Sequence, residues 1–494
     1  MKSMKSMKSI TQRSINNDPT SINMKTVLSG LLLAFTASLA TAADPQPPNI
    51  VLILSDDQSY TDYSFMGHPA IETPNLDQLA SESVVFRRGY VPTALCRPAL
   101  MTLATGLYSH QNKTTGNNPA QTAANKTYAK DQSKHINELL ISHIDETGAL
   151  PQWLAKRGYV SHQSGKWWEG SYQRGGFTDG MTKGFPNPGG RHGDAGLKIG
   201  RDGMQPVLNF IDQSVTDKKP FFVWYAPFMP HTPHTPPDRI LKKYIAKGVQ
   251  ERIAKYYAMC EWFDETCGTL VKHIDESGVG NNTLIVYVTD NGWIQTETGS
   301  YAPRSKRSPY EGGTRTPIMF RWPGTIAPAD RPELCSSIDI VPTMLSAAGA
   351  DAPHDFPGLN LLPQLKTGQQ IDRDTLFGES FAHDIADINQ PQASLLYRWV
   401  IRGDHKLLLT YDGAPGKMKF PPQDGEAKLF NLKMDPEEKE NLASQEAALT
   451  QQLSQLLEDW YVPNERSAGK FAKAEAVTRK TPQRNADRKK RKQP

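Results

Sequence analysis

Asn49-Ile50-Val51-Leu52-Ile53-Leu54-Ser55-Asp56-Asp57 reads as a strand that runs directly into two adjacent carboxylates. Six residues without a polar alternation suit a strand buried on both faces, which needs helices above and below it rather than a solvated side. Residues 221–225, 284–288 and 317–321 are further continuous apolar runs of strand length. Between them, Ile253, Tyr257, Cys260, Phe263, Cys267, Leu270 and Ile274 recur at helical spacing over 250–276, and Gly278 follows as a stop signal. Strands alternating with helices predict an α/β fold with a large, mostly parallel sheet sandwiched by helices. Past about residue 365 the pattern changes: 396–401 and 405–411 flank Gly403-Asp404 as a hairpin, and a helical pattern covers about 442–460. A smaller C-terminal antiparallel-sheet domain over 366–463 is therefore expected beside a catalytic domain over 47–365.

The two ends of the chain read differently. Lys2, Lys5, Lys8, Arg13 and Lys25 precede an apolar run that closes on Ala40-Thr41-Ala42, so residues 1–42 are expected to be a signal peptide and the mature chain exported, periplasmic or secreted. No apolar stretch is long enough to span a bilayer comfortably, which argues against an integral membrane protein. The formal net charge is +4, but residues 464–494 hold eleven basic and three acidic side chains and the first 42 residues a net +4, leaving the body near −8. A body of that sign is not built to bind nucleic acid over its surface. The basic, apolar-poor tail over 464–494 has the composition of a disordered segment. Four cysteines in 494 residues make no disulfide framework, and Cys260 and Cys267 lie about 10.5 Å apart along their helix, too far to bridge.

Ligand sites in open α/β sheets gather at the carboxyl ends of strands, where Asp56 and Asp57 sit. Neighbouring carboxylates repel unless a positive group stands between them, and a divalent cation is the natural one. The apolar run 284–288 ends in a second oxygen-rich turn, Asp290-Asn291-Gly292. Hard oxygen donors without a His/Cys cluster at ligand spacing favour calcium or magnesium over zinc. Each motif alone is an ordinary cap or turn; two at the ends of strands in one sheet make a candidate metal centre.

Cys96-Arg97-Pro98-Ala99-Leu100-Met101-Thr102-Leu103-Ala104-Thr105-Gly106 resembles the sulfatase active-site pattern C-x-P-S-R-x-x-L-x-T-G. Further segments resemble the same family in its order: Thr73-Pro74-Asn75-Leu76-Asp77, Gly165-Lys166-Trp167, Pro230-His231-Thr232-Pro233, Asp290-Asn291-Gly292, Lys306 ahead of Glu311-Gly312-Gly313, and Asp339-Ile340-Val341-Pro342-Thr343. The resemblance covers about 48–442 and implies an alkaline phosphatase-like fold and a sulfuric ester hydrolase, arylsulfatase-like. It implies that Cys96 is oxidised by a maturation enzyme to formylglycine, whose hydrate attacks sulfur. It also implies a calcium or magnesium ion held by Asp56, Asp57, Asp290, Asn291 and the Cys96-derived group. Lys166 and Lys306 would clamp sulfate, and His231 would protonate the leaving alcohol. The implied partner is a sulfated carbohydrate or small sulfate ester.

Two positions depart from the family: Leu100 stands where it has arginine, and Trp168 where G-K-W-H has histidine. Arg97 is a candidate to supply the missing charge, and His192, in Arg191-His192-Gly193-Asp194, to supply the missing imidazole. Two competing functions remain open at this level: a phosphomonoester or phosphonate hydrolase on the same fold, and a catalytically silent protein that binds sulfated glycan.

Overall fold

In the computed structural model, described over residues 47–190, 194–411 and 426–463, the opening run forms strand β1 (Asn49–Ser55), buried along its whole length. It is joined by β2 (Val84–Tyr90), β3 (Val160–Gly165), β4 (Asp179–Gly180), β5 (Phe221–Ala226), β6 (Thr283–Thr289), β7 (Arg315–Arg321), β8 (Ala329–Arg331) and β9 (Cys335–Ser336). Their order across the sheet is β9-β2-β7-β6-β1-β5-β3-β4, with β8 also on β2. All neighbours run parallel except that β7 opposes both β6 and β2. The sheet is therefore mostly parallel, as the apolar runs predict.

Alternation along β1 sends its side chains into two separate cores. Ile50, Leu52 and Leu54 pack with Leu100, Met101, Leu103 and Ala104 of the Cys96–Thr105 helix. Val51 and Ile53 pack with Met259, Phe263, Cys267, Leu270 and Ile274 of the Glu251–Glu276 helix on the other face. That helix starts where Gln250 accepts bonds from the backbone N–H of Arg252 and Ile253. All four cysteines are free and buried.

Sequence periodicity misses β2, β3 and three short edge strands. In β2 the register shifts between Phe86 and Gly89, which releases Arg87 to Asp330 and Arg88 to Asp404 and breaks the apolar pattern. In β3 the buried polar residues take partners from neighbouring segments: the Ser161 N–H donates to Thr178 Oγ1, and His162 pairs with Asp179 at 2.7 Å.

The C-terminal region forms an antiparallel sheet of Thr375–Phe381, Leu395–Arg402, His405–Thr410 and Lys428–Asn431, with the predicted hairpin turning at Gly403, φ 57°. The Ala447–Trp460 helix covers one face through Leu453 and Leu457. The other face, with Trp399, Ile401 and Leu408, shares a core with Tyr90, Tyr310 and Leu334. The small C-terminal sheet thus shares a core with the large one. No described helix is long and apolar enough to cross a membrane. The expected signal peptide, His192 and the basic tail lie outside the described residues.

The loop after β1 is tied to the long helix by Asp62, which accepts from Tyr256 Oη at 2.6 Å and from the Ser59 N–H at 3.2 Å. Burial pushes the Asp62 carboxyl up to about 7, against these hydrogen bonds, from 3.8. The folded state then binds a proton more tightly than the unfolded chain, so this group's contribution to stability is full below about pH 4 and is lost as pH rises towards 7. Asp62→Asn is expected to flatten that slope, by a few kcal/mol at most over the interval, in urea melts collected from pH 4 to 7. An unchanged slope would mean that Asp62 is already ionised at pH 4.

Candidate active site

The strand order puts the motifs on one edge. β6, β1, β5 and β3 are adjacent and parallel, so Asp290-Asn291, Asp56-Asp57, His231 and Lys166 all follow carboxyl ends on the same side of the sheet. β2 points the same way through the opposed β7, which brings Cys96 to that edge, and the loop carrying Lys306 lies between β6 and β7.

Close backbone approaches explain the motif glycines. A Cβ on Gly165, φ +82°, would lie 1.8 Å from the Ala226 carbonyl oxygen; the turn directs Lys166 inward and lets its N–H donate to Ala226 at 2.7 Å. Gly292 lies so near Gly312 that a Cβ would come within 2.0 Å of its carbonyl oxygen, which locks the Asp290-Asn291 turn to the segment after Lys306. Cys96 opens the Cys96–Thr105 helix, Pro98 occupies its first turn where no N–H is needed, and Gly106, φ 70°, ends it with an N–H bonded to Thr102.

Asp57 is the hub. Its Oδ1 accepts from Lys306 Nζ at 2.5 Å and from Asn291 Nδ2 at 2.7 Å, its Oδ2 lies 3.3 Å from His231 Nε2, and its backbone N–H donates to Asp290 Oδ1 at 3.1 Å. Lys166 Nζ donates to Asp56 Oδ1 at 2.6 Å and lies 3.6 Å from Asp290 Oδ2. Burial opposes the charge on Asp57, but Lys306 and His231 outweigh it and hold the carboxyl at about 2. Burial, with Asp290 and Asp57 adding to it against Lys166, pushes Asp56 well up, and burial likewise raises Asp290. Burial alone would lower both lysines; Asp56 holds Lys166 above its ordinary value and Asp57 does so for Lys306. Two ammonium groups against three carboxylates leave one negative charge in excess.

The donor set fits a hard divalent cation. Asp56 Oδ2, Asp57 Oδ2, Asp290 Oδ2 and Asn291 Oδ1 are buried acceptors with no hydrogen-bond partner, one from each of the four expected oxygen ligands other than the Cys96-derived group. Buried acceptors are seldom left without a donor, and four facing one charge-rich pocket answer to a cation. Ligand atoms of Asp56, Asp57, Cys96 and His231 also lie within 4.8 Å of one another. Burial pushes the Cys96 thiol up to about 12 despite Lys166 and Lys306 nearby.

His231 stacks on Phe228 at 4.2 Å and sets its Nδ1 2.6 Å from the Thr232 carbonyl, which directs Nε2 into the site. Burial depresses its pKa well below the usual histidine value, against the pull of Asp57. Trp168, in place of the family histidine, puts its ring 5.6 Å from Lys166 Nζ, and Leu100 is buried in the apolar core one turn below Cys96. Arg97 does not supply the charge missing at Leu100: its guanidinium makes a bidentate pair with Glu169, 2.7 Å in both arms, with both side chains 5% exposed. A pocket of 260 Å³ opens above Cys96, and Trp168 and Asn117 also line the neighbouring 330 Å³ pocket that Arg97 faces. His383 lines the first pocket too, from the C-terminal region. Sequence reasoning missed it because no motif marks it.

Fold and site define an ester hydrolase of alkaline phosphatase-like architecture with a metal-ready centre. A model of the sulfatase family matches residues 48–350, and one described as N-sulphoglucosamine sulphohydrolase, C-terminal, matches residues 299–462. The chain is 30% identical over 386 residues to N-acetylgalactosamine-6-sulfatase of Canis lupus familiaris, covering 69% of this chain and 70% of the relative. It is 27% identical over 488 residues to arylsulfatase A of Homo sapiens, covering 86% and 89%. The crystal structure of Ps i-CgsB in complex with k-i-k-neocarrahexaose superposes with a TM-score of 0.65 at 23% identity, covering 86% of this chain and 94% of that one. The chain belongs to the sulfatase family and is a sulfatase enzyme.

Proposed function

We propose that this chain is an exported carbohydrate sulfatase, which releases inorganic sulfate from a sulfate monoester of a sugar. Its nucleophile would be formylglycine derived from Cys96, and Asp56, Asp57, Asp290 and Asn291 would hold calcium, or magnesium as the alternative hard cation. The observation that carries the reading is the gathering of four buried oxygens that accept no hydrogen bond and two buried lysines at the strand ends beside Cys96. Relatives named for sulfated amino sugars point to a carbohydrate substrate.

When bound, the cation would withdraw charge from a sulfate oxygen, and formylglycine would offer an oxygen nucleophile in place of the thiol. The native thiol, with its pKa near 12, stays protonated at neutral pH and is a poor nucleophile, which favours a modified residue. Lys166 and Lys306 are preorganised cations: each is already turned inward by a carboxylate and needs little reorganisation to stabilise charge building on sulfate. His231 keeps its Nδ1 on the Thr232 carbonyl, so Nε2 is the atom that exchanges a proton with the leaving oxygen.

The test compares sulfate and phosphate esters of the same phenol, with and without calcium, beside a panel of sulfated monosaccharides read out as released sulfate. Calcium-dependent sulfate release is expected, with the phosphate ester turned over far more slowly. Preference for the phosphate ester would reassign the chain to phosphoryl transfer, and tight glycan binding without turnover would make it a silent binder.

A further inference from the structure

His383 enters the Cys96 pocket from the far half of the chain, and its surroundings are built. Residues 383–385 lie against 116–120 in a short parallel ladder pairing Asp384 with Asn118 and Ile385 with Pro119. The Asn117 N–H donates to the His383 carbonyl and the Ala120 N–H to the Ile385 carbonyl, each at 2.9 Å. Gly116 makes the approach feasible, because a Cβ there would come within 2.6 Å of the His383 carbonyl oxygen.

The side chains are oriented as firmly as the backbone. Asn117 Oδ1 accepts from the Arg97 N–H at 3.2 Å, which turns its Nδ2 towards His383 Nε2 at 3.3 Å. On the other side of the ring, Nδ1 lies 2.8 Å from Asp384 Oδ1, and that oxygen also accepts from Asn118 Nδ2 at 3.2 Å. A carboxylate at Nδ1 and an amide donor at Nε2 select one tautomer: the proton sits on Nδ1, and the Nε2 lone pair accepts from Asn117. Asn117 and His383 therefore set an N–H donor beside a nitrogen acceptor at the rim of the pocket that Cys96 and Trp168 also line. The His383 side chain is 35% exposed, open to a ligand from solvent.

We propose that Asn117 and His383 form a clamp for a carbohydrate hydroxyl of the sulfated substrate. A hydroxyl both donates and accepts, so one that displaces the 3.3 Å contact between Asn117 and His383 satisfies the amide N–H and the imidazole lone pair together. A second sulfate or a carboxylate offers acceptors only and would set its charge against the Nε2 lone pair. The clamp thus reads the sugar that bears the sulfate rather than the sulfate itself, and Asp384 is its positioning residue. This rests on the sulfatase reading above.

The experiment measures kcat and KM for 4-nitrophenyl sulfate, whose alcohol carries no further hydroxyl, and for N-acetylgalactosamine 6-sulfate, N-acetylglucosamine 6-sulfate and galactose 4-sulfate. In His383→Ala the ratio of kcat/KM for the best sugar sulfate to that for the aryl ester is expected to fall about tenfold, mainly through KM. His383→Asn, which keeps a donor and an acceptor, should recover part of that loss. A ratio unchanged in His383→Ala, or equal losses on both substrates, overturns the clamp. Wild-type turnover of the aryl ester with none of the three sugars also overturns it and leaves the sulfatase reading standing. No turnover of any probe by the wild type overturns that reading and the clamp with it.

Discussion

Cys96→Ala is expected to lower kcat/KM for sulfate esters by at least about four orders of magnitude, with the fold intact. The residue is 2% exposed at the first position of the Cys96–Thr105 helix, where alanine is an excellent helix former, so the structural cost is confined to the volume of one buried sulfur. Chemically, nothing else described in the pocket can take its place. Lys166 and Lys306 are committed cations held by carboxylates, and His231 is turned to handle a proton. Mass spectrometry of the Cys96 peptide in the wild type separates two origins of activity: conversion to formylglycine lowers the mass by about 18 Da. Active protein carrying only the unmodified thiol would sink the proposed nucleophile. So would an alanine variant that keeps wild-type turnover.

How much of this was legible in the chain follows from where side chains point. β1, β5, β6 and β7 lie within the sheet and read as unbroken apolar runs, so their existence and the acidic strand ends were visible without coordinates. β3 was not, because Ser161, His162, Gln163 and Ser164 are buried polar residues whose partners come from other segments of the chain. Over the long helix, Ile253 and Tyr257 continue the predicted stripe but are only half-buried, while Ala254, Tyr256 and Ala258 take the buried places near its start. The stripe rotates there because the helix passes from the sheet onto the Asp238–Ala246 helix, a change of partner that periodicity cannot record. His383 was invisible for a similar reason. Its approach to Asn117 depends on a pairing between residues 266 apart, set by Gly116 and not by any local pattern.

The two departures from the family motif have different physical outcomes. Leu100 closes the apolar core beneath the site, so the positive charge of the family arginine has no direct heir; Arg97, on another face of the same helix, is neutralised by Glu169. The work of balancing three carboxylates therefore falls on Lys166 and Lys306, together with the proposed cation. Trp168 replaces an ionisable ring with an aromatic wall shared by both pockets, and a second imidazole besides His231 reaches the Cys96 pocket from residue 383. The substitution changes the rim of the site more than its floor, since every group on Asp56, Asp57 and Asp290 is retained.

Asp57→Ala is the second large effect, and it separates charge balance from metal binding. In the wild type, added calcium at a hundredfold excess over its dissociation constant should stabilise the protein by about 2.7 kcal/mol, seen as a rise in Tm. Asp57 supplies one of the four oxygens that accept no hydrogen bond and also positions Asn291, which donates to its Oδ1. The alanine variant should therefore lose the calcium response and at least about three orders of magnitude in turnover. Its metal-free stability is set by two opposed terms. Removing one carboxylate relieves repulsion with Asp56 and Asp290, whereas Lys306 and His231 lose the group that holds them in the pocket. An unpaired buried ammonium costs more than the relief returns, because Lys306 is only 7% exposed, and a net loss of about 3 kcal/mol is expected. Asp57→Asn is the control. Its amide oxygen can still accept from Lys306, and asparagine tolerates the left-handed backbone at this position, φ 64°, but the charge pairing that holds the carboxyl at about 2 is gone, so its stability should fall by about 2 kcal/mol, less than in the alanine variant. Calcium should still stabilise Asp57→Asn only weakly, for want of a charged ligand. A full calcium response in Asp57→Ala would place the cation elsewhere than among these strand ends.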